Sequence, residues 1–373
     1  MIIGVPKEIK NNENRVALIP ANINALIKNN HKVVVQKNAG LNSGFTDEQY
    51  VEAGAQILPT IEEVYSAADI IVKVKEPQPS EFKLMKKNQT LFTYLHLAVD
   101  KELTDALLER KVTGIAYETI QTDDGALPLL TPMSEIAGKM SVQIAATISE
   151  KHHGGSGILM GGVPGVAPAK VVVIGAGVVG VNAVKIAVGL GADVSVVDIN
   201  VNKLKEVDDI FGSRVKTYMS NEYNIAKLVK EADVLIGAVL IPGKKAPHLV
   251  TEEMVKTMRK GSVIVDVAID QGGVIETIDR ITTHDHPTYE KHGVVHYSVA
   301  NIPGAVSRTS TIALTNVTFS YLDHIVNMGV IEAVKKIPSL AKGVNTYGGA
   351  LTNKAVADSL NMKYSELSML IGF

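Results

Sequence analysis

The feature that most constrains the fold is a glycine pattern directly behind an apolar run. Residues 170–180 read KVVVIGAGVVG, so the β-branched run Val171–Ile174 leads straight into Gly175, Gly177 and Gly180. Such a run predicts a buried strand, and glycines at this spacing predict a tight turn into a helix. Gly175 permits the turn, Gly177 lets a pyrophosphate approach the backbone, and Gly180 allows close packing of helix on strand. The pattern therefore predicts a dinucleotide-binding unit.

The next predicted strand ends at an acid suited to the adenosine ribose. It ends at Asp198, 18 residues after Gly180, close to the spacing of about 20 residues that is usual for the acid that binds the ribose hydroxyls. Ile199 and Asn200 follow, with no arginine to receive a 2′-phosphate. NAD is therefore favoured over NADP as the cofactor. The alternative is a structural glycine turn with an incidental carboxylate.

Two series of short apolar runs predict two sheets. The first series contains Ile2–Val5, Val33–Gln36, Ile70–Val74, Leu91–Leu95 and Thr113–Tyr117, and the second contains Val171–Ile174, Val194–Val197, Val234–Ala238, Val263–Val267 and Val294–Ser298. Continuous Val/Ile runs are typical of parallel strands covered on both faces, and the longer segments between them have helical periodicity. The expected fold class is α/β, with two doubly wound, Rossmann-like parallel-sheet domains and a cleft between them.

The chain length, 373 residues, suits two domains. Thr131–Pro132 has the residue types of a helix N-cap and a first-turn proline. Ser307–Asn327 has a helical pattern that could carry the chain back to the first domain. We expect residues 1–129 and 307–373 to form a substrate domain, and residues 130–306 to form an NAD-binding domain.

The composition excludes several classes of protein. Lys+Arg is 37 and Asp+Glu is 39, for a formal net charge of −2, so neither nucleic acid nor an anionic membrane is expected as a partner. The absence of cysteine excludes disulfides, thiolate zinc sites and cysteine nucleophiles. The first residues show no secretion signal, and the apolar stretch 171–190 fits a strand and helix better than a membrane span. We expect a soluble cytoplasmic protein with small-molecule ligands.

Polar residues at the strand ends are the candidates for chemistry. Arg15 follows the first predicted strand, Lys75 follows the third, and His96 ends a strand on which Tyr94 shares its face. Arginine and lysine suit a carboxylate, through a bidentate fork and a point charge, and histidine can move a proton near neutral pH. Asp270 ends a strand of the second series. The alternatives are a satisfied core histidine and solvated charges at Arg15 and Lys75.

A histidine-rich stretch is predicted to be a loop. It contains His284, His286, Glu290, His292 and His296. His-x-His spacing can hold zinc, but Pro287 and the lack of helical periodicity leave the ligand geometry unspecified. We expect no metal site.

Eight sequence blocks resemble the bacterial L-alanine dehydrogenase family. In chain order they are IGVPKEIKNNENRVALIP, GFTDEQYVEAGA, KVKEP, LFTYLHLA, LPLLTPMSEIAG, VVVIGAGVVG, VDVAIDQGG and NIPGAV. The resemblance spans nearly the whole chain and implies a cytoplasmic homohexamer that converts L-alanine reversibly to pyruvate and ammonium with NAD. The same superfamily includes the NAD-binding subunit of proton-translocating transhydrogenase, which is the nearest alternative. A non-catalytic NAD-sensing module is another.

The resemblance also implies the roles of individual residues. Arg15 and Lys75 match the substrate-binding cations, His96 the acid/base group, and Asp270 the catalytic aspartate. Tyr94 and Asn301 match positions that line the substrate pocket. The implied cofactor positions, beyond the three glycines, are Ser134, Val178, Val179, Asp198, Lys203, Ser220, Val239, Leu240, Val267, Ala268, Ile269, Asp270, Arg280, Val299, Ala300, Asn301 and Ile302.

Overall fold

The computed structural model describes residues 1–239, 247–269 and 272–372. The chain divides into two compact units. Unit 1 contains Met1–Met133 and Val306–Phe373, and unit 2 contains Ser134–Ala305. Each unit is built on one sheet with helices packed against it. The predicted α/β class with two Rossmann-like sheets is confirmed.

The strands of the described residues follow the apolar runs closely. They are β1 (Ile2–Val5), β2 (Lys32–Gln36), β3 (Gln56–Leu58), β4 (Ile70–Val72), β5 (Thr90–Thr93), β6 (Thr113–Ala116), β7 (Lys170–Ile174), β8 (Asp193–Asp198), β9 (Val215–Met219), β10 (Val234–Gly237), β11 (Val263–Asp266), β12 (Thr288–Lys291), β13 (Val294–Tyr297), β14 (Val344–Tyr347) and β15 (Ala350–Leu351). All ten predicted runs contain a strand. They are buried along most of their length, as expected for strands covered on both faces.

The helices lie mainly between the strands. They are α1 (Pro20–Lys28), α2 (Asp47–Glu52), α3 (Ile61–Ala67), α4 (Lys101–Glu109), α5 (Thr131–Ile148), α6 (Val178–Gly189), α7 (Val201–Phe211), α8 (Glu222–Glu231), α9 (Glu252–Lys256), α10 (Ser307–Met328), α11 (Val330–Lys336), α12 (Pro338–Gly343), α13 (Lys354–Leu360) and α14 (Leu367–Ile371). None of the described helices has the length and apolar character needed to cross a bilayer.

One expected helix start is wrong by a residue. Thr131 was predicted as the N-cap of α5, but it lies inside the first turn. Its hydroxyl donates to the carbonyl of Leu127 at 3.0 Å, and its own N–H donates to the same carbonyl at 3.0 Å. The segment before α5 is therefore already turned, and the helix begins without the threonine cap.

The sheet of unit 1 has the order β15-β14-β6-β5-β4-β1-β2-β3. Strands β1 to β6 pair in parallel, and β14 pairs antiparallel with β6 and β15. The C-terminal part of the chain thus completes the sheet that the N-terminal part begins. The side-chain hydroxyl of Thr346 accepts the N–H of Gly114 at 3.0 Å and ties β14 to β6.

The sheet of unit 2 has the order β12-β13-β11-β10-β7-β8-β9. All of its pairs are parallel except that of β12 with β13. From β7 the chain passes to β8 and β9 on one side and later to β10 and β11 on the other. The end of β7 is therefore the point where the strand order reverses, which is where ligands bind in folds of this type.

The prediction that the histidine-rich stretch is a loop is wrong for residues 288–291, which form β12, and residues 283–287 belong to no helix or strand. Its second half forms the hairpin of β12 and β13, with Tyr289 paired opposite His296. The alternation of TYEK is weak because β12 is an edge strand that is only half-buried. His296 is fully buried, with Nε2 at 2.7 Å from the Thr277 hydroxyl and Nδ1 at 2.9 Å from the Val294 carbonyl oxygen.

Candidate active site

The glycine loop of unit 2 stands at the reversal point, between β7 and α6. Gly175 has a φ of +106°, and a Cβ there would lie 2.9 Å from the carbonyl oxygen of Ala238. A Cβ on Gly180 would lie 1.8 Å from the carbonyl oxygen of Gly175. These two glycines thus provide the turn and the close packing of helix on strand.

Gly177 has a different environment. It is the N-cap of α6, and among the described residues, its two chain neighbours aside, no atom lies within 4 Å of the position that a Cβ would take. This open space lies in front of the first turn of a helix of 12 residues, where the amide N–H groups and the helix dipole favour an anion. A pyrophosphate fits this position.

Asp198, at the end of β8, is held beside the same loop by backbone donors. Its Oδ2 accepts the N–H of Ala176 and its Oδ1 accepts the N–H of Asn200, both at 2.7 Å. A carboxylate has about four acceptor sites, so ribose hydroxyls can still donate to it. The Asp198 carboxylate can accept the ribose hydroxyls, and the open space at Gly177 can take the pyrophosphate. Together they fit a bound NAD.

Most of the other predicted cofactor residues follow the carboxyl ends of parallel strands of unit 2. Ser220 follows β9, Val239 follows β10, Val267–Ile269 follow β11, and Val299–Ile302 follow β13. Because parallel strands end at one edge of a sheet, these segments share that edge. Leu240 and Asp270 lie outside the described residues.

The remaining cofactor candidates lie on helices and in one loop. Ser134 is in the first turn of α5, and Val178 and Val179 begin α6. Lys203 is half-buried on α7 and pairs with Glu206 at 2.9 Å. Arg280 is exposed, pairs with Asp279 at 2.7 Å and lies 4.6 Å from the centre of the Tyr289 ring.

Asp266 is a buried carboxylate of unit 2 that the sequence analysis missed. Its Oδ1 accepts the N–H of Ala268 at 2.9 Å, and its Oδ2 accepts the N–H of Val274 at 2.7 Å. Burial raises its pKa to about 6, against the lowering effect of these hydrogen bonds. Asp266 thus holds both ends of the turn after β11. The sequence does contain a signal for this residue, because Asp266 is a lone acid at the end of an apolar run. The backbone group that it holds, at Val274, lies eight residues further on.

In unit 1, Arg15 is buried and its guanidinium is held by Glu13. Nε of Arg15 donates to Oε1 of Glu13 at 2.7 Å, and Nη2 donates to Oε2 at 2.6 Å. Nη1 contacts Sδ of Met133 at 3.1 Å. One bidentate edge of the guanidinium, Nε and Nη2, is therefore engaged by Glu13 and not by a substrate carboxylate. A second carboxylate can bind Arg15 only through its Nη1–Nη2 side.

Lys75 lies close enough to Arg15 for the two charges to interact. Burial has the largest effect on Lys75 and lowers its pKa, and the positive charge of Arg15 lowers it further. Because Glu13 offsets the charge of only one of these two cations, one positive charge remains on the three side chains together, and it favours a small anion.

Tyr94 lies close enough to Arg15 for their charges to interact, and it also contacts His96. The Tyr94 hydroxyl donates to the Leu129 carbonyl at 2.6 Å, and its ring stacks on that of His96 with 5.9 Å between the centres. Burial raises the pKa of the Tyr94 hydroxyl, and the positive charge of Arg15 opposes that effect. Arg15 is thus linked to Lys75 and Tyr94 through charge, and Tyr94 is linked to His96 through ring stacking.

The placement of His96 on a strand is wrong. Strand β5 ends at Thr93, and His96 has a left-handed φ of 51°. Its N–H donates to Glu118 Oε1 at 2.6 Å, which holds the backbone in this turn. The side chain is exposed. A left-handed conformation costs energy in a residue other than glycine, and such costs concentrate at functional sites.

The other two candidates lie elsewhere in the sequence. Asn301, in unit 2, also has a left-handed φ, of 61°, and its carbonyl accepts the N–H of Gly304 at 2.9 Å. Asp270, as noted, is outside the described residues.

The described residues contain one group of side chains close enough to share a metal ion. It consists of Glu150, His152 and His153, all exposed, in the turn after α5. It does not include any residue of the histidine-rich stretch.

The fold and the glycine loop define a dinucleotide-binding protein of the Rossmann class. Two family models match the chain: "Alanine dehydrogenase/PNT, N-terminal domain" over residues 4–137 and "Alanine dehydrogenase/PNT, C-terminal domain" over residues 141–354. The chain belongs to this alanine dehydrogenase/PNT family.

Individual relatives can be aligned with this chain over nearly its full length. The chain is 63% identical to an alanine dehydrogenase of Methanococcus maripaludis over 98% of both chains, and 60% identical to one of Bacillus subtilis over 98% of this chain and 96% of that one. A solved L-alanine dehydrogenase superposes with a TM-score of 0.94 at 51% identity, covering 97% of this chain and 99% of the other. A transhydrogenase from Sinorhizobium meliloti superposes with a TM-score of 0.81 at 28% identity, covering 95% and 100%.

Proposed function

We propose that this chain is an NAD-dependent enzyme that converts L-alanine and water reversibly to pyruvate and ammonium. Relatives that share 56–63% of its residues carry the name alanine dehydrogenase. The observation that carries the proposal is the close placement of Arg15 and Lys75 in unit 1, because one small substrate carboxylate can accept hydrogen bonds from both side chains. The cofactor is NAD, which Gly177 and Asp198 of unit 2 are suited to bind.

Arg15 and Lys75 hold the substrate. The carboxylate of alanine binds the Nη1–Nη2 side of Arg15 and the ammonium of Lys75, which orients Cα and removes the entropy cost of a random encounter. When bound, NAD supplies the acceptor for the hydride that leaves Cα. The product of that step is an iminium on the substrate, formed from the neutral amine.

His96 moves the protons of the later steps. Water adds to the iminium carbon as His96 takes a proton from that water. His96 then returns the proton to the nitrogen of the carbinolamine, ammonia leaves as the carbonyl forms, and the proton of the carbinolamine hydroxyl passes to ammonia to give ammonium. Asp270 assists these transfers. In the reverse direction Lys75 stabilises the negative charge that develops on the carbonyl oxygen of pyruvate. Overall, one water is consumed and one proton is released for each alanine oxidised.

The direct test follows NADH absorbance in both directions. NAD with L-alanine should produce NADH, and pyruvate with ammonium should consume it, while glycine, lactate and NADP serve as controls. His96→Ala should reduce turnover by about 100-fold or more with NADH affinity retained. His324→Ala, an exposed histidine on α10, is the matched control and should leave turnover unchanged.

The likeness to the solved transhydrogenase supports a second candidate function, that of an NAD-binding subunit of a transhydrogenase. A subunit of that kind would bind NADH but show no rate that depends on alanine. The same result would fit an NAD-sensing module, and addition of a membrane transhydrogenase partner would then separate the two.

The assembly proposed with this function is a homohexamer in the cytoplasm. Support comes from a segment of unit 2 that leaves three apolar side chains exposed, Leu159, Val163 and Val166, since apolar surface of this kind is typical of subunit contacts. Light scattering should give six times the chain mass of 39.8 kDa. Cell fractionation tests the location, and a monomer or a membrane-bound fraction would contradict the proposal.

A further inference from the structure

A buried carboxylate, Glu8, lies directly behind the backbone of Lys75. Its Oε1 accepts the N–H of Val74 at 2.6 Å and the N–H of Lys75 at 3.3 Å. Its Oε2 pairs with Nζ of Lys73 at 3.0 Å. Burial raises the pKa of Glu8, and Lys73 opposes that effect.

Lys73 is fully buried and is shared by two acids. Its Nζ also lies 3.0 Å from Oε1 of Glu81, and that oxygen accepts the Tyr65 hydroxyl at 3.0 Å. Moving charged groups out of water costs desolvation energy, and the attraction between the opposite charges barely offsets that cost. A gain in stability is therefore a weak explanation for the presence of this buried group. The proposed mechanism uses none of these groups directly.

The backbone around Lys75 explains what this group of charges does. Strand β4 ends at Val72, and the chain beyond it is held on the β5 side: the Lys73 N–H donates to the Phe92 carbonyl at 3.1 Å, and the Lys75 carbonyl accepts the Thr93 hydroxyl at 3.0 Å. On the opposite side, β1 pairs with β4 only at residues 70 and 71. Beyond those residues, the Glu8 carboxylate accepts the backbone N–H groups of Val74 and Lys75, as a neighbouring strand would otherwise do.

We propose that Glu8 is a positioning residue for substrate binding, which holds the backbone of Lys75 so that its ammonium meets the substrate carboxylate. The inference rests on the proposed role of Lys75. Glu8 acts through the backbone N–H groups and does not touch the substrate.

Two double variants isolate the acceptor oxygen. Glu8→Gln/Lys73→Met and Glu8→Leu/Lys73→Met both remove one buried acid and one buried cation, so the net charge of the group with Glu81 is unchanged. Only the glutamine variant keeps an oxygen that can accept the Val74 N–H. We expect KM for alanine and pyruvate to be about tenfold higher in the leucine variant than in the glutamine variant, since hydrogen bonds of this kind are worth about one factor of ten. The turnover number should change less than about threefold, because the loss is in binding.

Binding measured without turnover completes the test. Calorimetry of propionate with the NADH complex should show the same difference between the two variants, and NADH affinity should be equal in both. Tyr65→Phe removes a hydrogen bond at the far end of the same group and should leave KM unchanged. Equal KM and equal propionate affinity in the two double variants would overturn the inference. If the wild type shows no turnover that depends on alanine, the proposed function fails instead.

Discussion

Glu13 occupies one edge of Arg15, with its two carboxylate oxygens 2.7 and 2.6 Å from Nε and Nη2. The N–H of Arg15 also donates to Oε1 of Glu13, at 3.0 Å. The guanidinium is therefore oriented by the protein itself. A substrate then binds to a group whose rotamer is already set, and such preorganisation lowers the entropy cost of binding.

The first prediction concerns the shape of that cation. Arg15→Lys keeps the charge but cannot hold Glu13 by two parallel hydrogen bonds and bind a second carboxylate as well. We expect KM for alanine to rise about tenfold or more, since a bidentate charge-assisted pair contributes about 1.5–3 kcal/mol. Steady-state kinetics measure it, with Arg214→Lys, an exposed arginine, as the control. An unchanged KM would remove Arg15 from the substrate site.

The second prediction concerns pH. The pKa of Lys75 lies below its ordinary value of 10.5, because of burial and then the charge of Arg15, and only the protonated form attracts a carboxylate. The affinity for propionate should therefore fall as the pH rises through this lowered pKa. In Lys75→Arg the side chain stays charged, and the fall should vanish. Calorimetry from about pH 7 to 10 measures it, and identical profiles would contradict the assignment.

The third prediction separates the glycines by what surrounds them. Gly180→Ala would place a methyl 1.8 Å from the Gly175 carbonyl oxygen, so unit 2 should be destabilised by several kcal/mol. Gly177→Ala meets open space, so the fold should persist while NADH affinity falls, because the methyl takes room meant for the pyrophosphate. Thermal unfolding and NADH fluorescence titration measure the two effects. Gly189→Ala, exposed at the end of α6, should change neither by much.

The fourth prediction uses the raised pKa of Asp266. Its pKa is about 6 in the folded protein against 3.8 for an unperturbed aspartate, so the folded state binds this proton more tightly. The contribution of Asp266 to the free energy of unfolding therefore increases as the pH falls from about 7 to 4, by up to about 3 kcal/mol for a difference of about two pKa units. In Asp266→Asn this component is absent. Urea unfolding of both proteins at pH 7.5 and 4.5 measures it, and a pH-independent difference would contradict it.

The core strands could be predicted from sequence because burial on both faces leaves a continuous apolar run. The five strands that were missed, β3, β9, β12, β14 and β15, lie at or next to the sheet edges. Edge strands have a solvated side and carry polar residues, as in VKTYM of β9 and TYEK of β12. Their pairing depends on neighbours distant in sequence, which no local pattern records.

The candidate site was only partly predictable for a related reason. Spacing along the sequence was enough to single out some residues, because their contacts are with residues close to them in the chain. These are Gly175, Gly180 and Asp198. Glu8 is 66 residues from Val74, whose N–H it accepts. The turn at His96 likewise depends on Glu118, 22 residues further on. A carboxylate that serves distant backbone groups looks like any surface acid until the chain is folded.

The order of strands in the first sheet bears on how the protein is made. Unit 2 is a single continuous stretch, Ser134–Ala305, whereas unit 1 needs β14 and β15 from the end of the chain to complete its sheet. On the ribosome, unit 2 can therefore acquire its native contacts while the outer side of β6 still lacks its partner. Until translation reaches residues 344–351, that edge presents unpaired N–H and C=O groups to any passing strand. Closure of this edge therefore has to wait for β14 and β15, which follow β6 by more than 200 residues.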